Sequence, residues 1–136
     1  MTIVVDASIA LAWVHGDEKT DAAEMIFQRI GTTGAVVPVV WPMEVANALT
    51  MAVRRGRTSP ALRDRALTDL TEVPIRIDDE TNAHAWTATV KLADLHGLTV
   101  YDAACLELAQ RRRLPLATLD TALARAARAS GVAALP

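Results

Sequence analysis

The chain has 136 residues, of which 51% are apolar, 22% charged and 4% aromatic, with a formal net charge of −2. That is the length and composition of one soluble globular domain and excludes a disordered chain. The longest uncharged stretch, 30–43, is too short and too interrupted by Gly31, Gly34, Pro38 and Pro42 to span a bilayer.

In chain order, the β-branched run Thr2–Val5 predicts a strand, and Ser8 opens a helix through Ile9, Leu11, Trp13 and Val14. Asp17–Ile30 carries apolar residues at helical spacing, with Gly31 as its expected stop. A strand follows at Ala35–Val40, and Pro42 suits the first turn of a helix that runs to Gly56. Ser59 and Pro60 cap and start the next helix, which ends near Glu72. Pro74–Ile77 reads as a strand, and Asp78 or Asp79 as the cap of one long helix closed by Gly97. Thr99 and Val100 are extended, Asp102–Arg113 is helical, Pro115–Leu119 is a strand, Thr121–Ser130 is helical, and Val132–Leu135 adds an edge strand. Alternating short strands and helices predict an α/β fold, with a short central parallel sheet and helices on both faces, built as a single domain over residues 1–136.

In such a sheet, ligands bind beyond the carboxyl ends of the strands. Four acids fall at that kind of position: Asp6 after IVV, Glu44 after VVWP, Asp102 after LTV and Asp120 after PLATL. Each alone could cap a helix or complement its dipole. Gathered together they would repel one another unless a cation sat among them. The single cysteine, Cys105, leaves no internal disulfide and no thiolate cluster. An oxygen-only site suits Mg²⁺ or Mn²⁺, which keeps waters and leaves room for a phosphate and an attacking water. Ser8, Asn47 and Thr118 stand close in sequence to three of these acids, where they could orient ligands.

The segments VDAS, WPMEVANAL, TVYDAACLELA and LATLD, spread from Thr2 to Asp120, resemble in order and spacing the acidic motifs of PIN-domain nucleases, in particular the VapC-type toxins of bacterial toxin–antitoxin pairs. The resemblance implies a PIN-like three-layer sandwich and a metal-dependent endoribonuclease. Asp6, Glu44, Asp102 and Asp120 would form its catalytic, metal-binding cluster, with Ser8, Asn47 and Thr118 in support. It further implies RNA as substrate, a small antitoxin as partner, and a homodimer.

Among the remaining residues, Arg54, Arg55 and Arg57 form a basic cluster, as do Arg111–Arg113; either could contact an RNA backbone or simply end a helix. Trp13, Trp41, Trp86 and Cys105 read as core volume. Two other functions compete. An aspartyl-phosphate phosphatase would use Asp6 as nucleophile, but the second Asp it wants two residues on is Ser8. The other is a receiver-like or purely partner-binding module, in which the acids bind Mg²⁺ or nothing and apolar helices recruit a partner; a receiver wants a strand-end lysine, and the only lysines are Lys19 and Lys91, both in expected helices. The N-terminal MTIVVDAS lacks the basic start of a signal peptide, so a cytoplasmic location is expected.

Overall fold

The computed structural model describes residues 1–15 and 21–136; the expected start of the second helix at Asp17, and Lys19, lie outside the described residues. Five strands form one parallel sheet: β1 (Ile3–Val5), β2 (Ala35–Val37), β3 (Ile75–Ile77), β4 (Leu116–Ala117) and β5 (Ala134–Leu135). Their order is β3-β2-β1-β4-β5, with Val4 of the central strand opposite both Val36 and Leu116. The chain therefore winds outward from β1 in one direction through β2 and β3, and in the other through β4 and β5. The crevice where the winding reverses lies between the ends of β1 and β4, the place where α/β sheets bind ligands.

Successive strand residues point to opposite faces, and the core divides accordingly. Ile3 and Val5 of β1, with Ala35 and Val37 of β2, belong to a cluster with Ile9 of α1 (Ala7–Val14), Ile26 and Ile30 of α2 (Asp21–Thr33), Val45 and Leu49 of α3 (Trp41–Arg54) and Leu70 of α4 (Pro60–Thr71). Val4 and Val36 face the other way and pack with Cys105, Leu106 and Leu108 of α7 (Val100–Arg112) and Leu123 and Ala127 of α8 (Thr121–Ala129). Ile3, Val4 and Val5 are all essentially inaccessible. Burial on both faces is why the strand is an unbroken apolar run, each side chain contributing about 1.5–3 kcal/mol. The expected sheet with helices on both faces is thus what the chain forms.

Four local expectations are corrected. Gly31 does not stop α2, which runs to Thr33; the break is at Gly34, whose φ of 76° is the left-handed conformation that favours glycine and whose N–H bonds the Ile30 carbonyl at 2.8 Å. The long helix before Gly97 is three pieces: α5 (Thr81–His84), a π-helical turn at Ala85–Thr89, and α6 (Val90–His96). Val100 is helical rather than extended, because Thr99 caps α7 by accepting the Asp102 N–H at 3.1 Å. Trp86 is 93% exposed on the π-helical turn, whereas Trp41 is buried and Trp13 stacks on Phe27 with centroids 4.6 Å apart.

Candidate active site

Asp6 follows β1 directly and serves as N-cap of α1. Its Oδ1 accepts the Ser8 N–H at 3.2 Å and the Ser8 hydroxyl, while the Thr118 hydroxyl donates to Oδ2 at 2.7 Å. Ser8 Oγ in turn accepts the Leu119 N–H at 2.9 Å, and Thr118 Oγ1 accepts the Asp120 N–H at 3.0 Å. These bonds stitch the end of β1 to the end of β4 across the crevice. Ser8 and Thr118 thus both hold the carboxylate of Asp6; for Thr118, which the sequence sets beside Asp120, that partner is a finding of the structure.

The other three acids arrive from three helices. Glu44 lies in the first turn of α3, Asp102 in the first turn of α7, and Asp120 caps α8, its Oδ1 accepting the Ala122 and Leu123 N–H groups at 2.8 and 3.1 Å. Electrostatics connects all four. Burial pushes the Asp6 carboxyl up to about 6, against the lowering hydrogen bonds of Ser8 and Thr118, and the charges of Asp102 and Asp120 add to the rise. Partial burial pushes Glu44 up to about 7, with Asp102 and Asp6 contributing. Asp102 is also raised, first by burial and then by Asp120. Beneath them the buried Cys105 thiol is pushed up by burial and by the fields of Asp6, Glu44 and Asp102, so it behaves as a small core residue and not as a nucleophile.

Asn47 shares a cleft of about 410 Å³ with Glu44, Val40, Met43 and Tyr101, so the one-turn spacing does put Asn47 and Glu44 on one face. The basic cluster is elsewhere. Arg54 ends α3, ten residues and so about 15 Å of helix beyond Glu44, and Arg55 and Arg57 line a different cleft with Leu11, His15 and Met51. The structure does not bring these arginines to the acids.

Among the described residues, the three carboxylates whose oxygens come within 4.8 Å of one another are Asp78, Asp79 and Glu80; no three of the strand-end acids come that close together. Within the close trio, Asp78 and Glu80 are engaged by arginine. Asp78, which is fully buried, takes Arg111 Nη2 at 2.6 Å, Arg112 Nη2 at 2.9 Å and the Thr81 hydroxyl at 2.8 Å. Arg111 also holds Glu107 at 2.9 Å. Burial alone would raise Asp78, but the hydrogen bonds of Arg111 and Thr81 and the Arg111 charge bring its carboxyl down to about 2. Two of the three arginines at 111–113 are thus structural cations, and Asp78 is not the helix cap the sequence implied.

Sequence reasoning passed over two features. Thr99-x-x-Asp102 is a readable capping signal that would have begun α7 two residues earlier. Arg125 and Arg128, one turn apart in α8, line a cleft of about 510 Å³ together with Thr118, Asp120, Thr121 and Ala124.

Set beside known proteins, residues 3–129 match the PIN domain family. A relative from Pyrobaculum aerophilum, "Ribonuclease VapC3", is 32% identical over 128 residues, covering 91% of this chain and 93% of the relative. A solved structure from the same organism superposes with a TM-score of 0.70 at 22% identity, covering 98% of this chain and 89% of that one. A chain from a toxin–antitoxin complex of Klebsiella pneumoniae superposes with a TM-score of 0.60 at 18% identity, covering 88% of each. With a family match across nearly its whole length and four acids collected at the carboxyl edge of a parallel sheet, the chain belongs to the PIN domain family.

Proposed function

We propose that this protein is an Mg²⁺- or Mn²⁺-dependent endoribonuclease, the toxin of a toxin–antitoxin pair, acting in the cytoplasm on RNA phosphodiester bonds. The observation that carries this reading is the gathering of Asp6, Glu44, Asp102 and Asp120 from four separate elements, where the stress of burial first and of their mutual charges second raises the proton affinities of Asp6, Glu44 and Asp102. A cation relieves that stress. The donor set fits one: every ligand is a hard oxygen, as suits Mg²⁺ or Mn²⁺. When bound, the ion supplies Lewis acidity toward the phosphate and makes water more acidic.

The chain's own residues do the rest. Ser8 and Thr118 fix both oxygens of Asp6, so that carboxylate is held in one orientation. Asp102 and Asp120 face it from α7 and α8, and Glu44 with Asn47 closes the α3 side. The aspartyl-phosphate alternative is disfavoured, because an Asp6 with 4% exposure and both oxygens engaged is a poor nucleophile. Arg54, Arg55 and Arg57 would touch RNA only outside the site. The relative named as a ribonuclease supports RNA as substrate, and the toxin–antitoxin neighbour accords with a small protein partner. We assign a homodimer to exposed apolar side chains: Met43 and Tyr101, which share a cleft with Glu44, and Trp86 and Val90.

The test is incubation of the purified protein with RNA and Mg²⁺ or Mn²⁺, with and without chelator, beside Asp102→Asn. Cleavage that requires both the metal and Asp102 is expected; metal-independent cleavage, or none, overturns the reading. Sedimentation of wild type and Trp86→Ser checks the dimer.

A further inference from the structure

Helix α8 has the sequence TALARAARA, and its two faces do different work. Leu123, Ala126 and Ala127 are buried against the sheet. Thr121, Ala124, Arg125 and Arg128, at positions i, i+3, i+4 and i+7, form one stripe that faces a cleft of about 510 Å³. The cleft begins at Thr118 and Asp120, two residues of the acidic site, and is bounded on its far side by Leu135 and Pro136. Ala124 keeps its floor open.

Arg125 and Arg128 are exposed, and among the described residues neither forms a hydrogen bond or an ion pair. Arg111 and Arg112, by contrast, are spent on Asp78. The two α8 guanidiniums are therefore positive charges on the wall of a cleft that also holds Asp120 and the Asp6 partner Thr118. Arg54 stands about 15 Å of helix from the nearest of them, Glu44. A planar guanidinium fork matches a phosphate with two parallel hydrogen bonds.

We infer that the Thr121–Arg128 stripe is the substrate track of this site, in which Arg125 and Arg128 bind backbone phosphates of the RNA strand on one side of the bond held at the acids. This rests on the ribonuclease reading above and names two substrate-backbone ligands within it. The contacts are to phosphate, so they set register and affinity and leave base preference to other groups.

The experiment compares wild type with the double variants Arg125→Ala/Arg128→Ala and Arg125→Lys/Arg128→Lys. The affinity for a single-stranded RNA oligonucleotide is measured by anisotropy in EDTA across a salt series, and kcat and KM are measured in Mn²⁺. Losing two phosphate contacts lowers the slope of log affinity against log salt by about 1.4. The alanine variant is expected to show that drop, with KM about tenfold higher and kcat changed less than twofold, since phosphate contacts position substrate without entering the chemistry. The lysine variant keeps the charges and is expected to keep the slope. An unchanged slope and KM in the alanine variant overturns the inference; so does an unchanged slope accompanied by lost binding of the protein partner, which would give the cleft to that partner. The binding arm needs no cleavage, so a lost slope in a protein that cuts no RNA would uphold the track while sinking the nuclease assignment.

Discussion

Replacing Asp6 with asparagine should stabilise the metal-free protein while removing its activity. Raising this carboxyl from its ordinary 3.8 to about 6 means that ionising it in the folded state costs about 3 kcal/mol more than in the unfolded chain. Because the folded value lies above the unfolded one, the folded state keeps a proton between about pH 4 and 6 that the unfolded chain has released. Stability in chelator therefore falls as pH rises through that window and is lowest above it. Asparagine abolishes this cost and fits the site. Its carbonyl can accept from Ser8 as Asp6 Oδ1 does, and its NH₂ can donate to Thr118 Oγ1 once that hydroxyl turns toward Ser8 Oγ, 3.5 Å away. For a domain of this size the gain at pH 7.5 is roughly 10 °C in Tm, shrinking to about a third of that at pH 4.5. Differential scanning calorimetry of both proteins in EDTA at the two pH values, then in Mn²⁺, measures it. Metal should raise wild type by RT ln(1 + [L]/Kd) and the variant less. A variant that melts below wild type in EDTA at pH 7.5, or a difference that does not change with pH, would refute the reasoning.

The same geometry sets the remaining expectations. Asp102→Asn should lower RNA cleavage at least about a hundredfold with far-UV circular dichroism unchanged, because an amide keeps the shape and loses the charge that holds a cation. Mn²⁺ affinity by calorimetry should weaken as pH falls through about 7, where Glu44 takes up a proton, and binding near that pH should release protons to the buffer. Arg111→Ala should cost about 3 kcal/mol in chemical denaturation, since it leaves the buried Asp78 with Arg112 as its one remaining cation. Asp78 should also shape the acid limb of wild type. Its folded pKa of about 2 lies below its ordinary 3.8, so about 2 kcal/mol of stability is present above pH 4 and lost as pH falls toward 2, a loss that Asp78→Asn should not show.

The strand-helix alternation and the four acids could be read from the sequence because both are local signals. Asp6 and Asp120 sit where an apolar run meets a helix start, a pattern that spans fewer than ten residues. Ser8 and Thr118 stood out for the same reason, but only the Ser8 contact with Asp6 is local: Thr118 reaches that carboxylate across 112 positions. What stayed hidden depends on partners chosen in three dimensions. Asp78 looks like a helix cap until Arg111, 33 positions away, claims it. Arg54, Arg55 and Arg57 read as a basic cluster, but nothing local tells that α3 sets Arg54 about 15 Å of helix beyond Glu44. The π-helical turn carries no periodic mark, and Trp86, read as core by its size, lies exposed on it.

The position of β1 at the centre of the sheet has a consequence for synthesis. The first strand to leave the ribosome waits between β2 and a β4 that is made almost last, and Asp6 acquires its Thr118 partner only when the final fifth of the chain has emerged. At ordinary translation speeds, roughly 6–23 s separate the first of the four acids from the last. A nascent or truncated chain that stops before Asp102 carries two of the four acids and neither β4 nor α8, so it has no complete cutting centre. The strand order thus acts as an assembly interlock: an RNA-cutting protein of this topology stays harmless to the messenger and ribosome producing it until its last elements are in place.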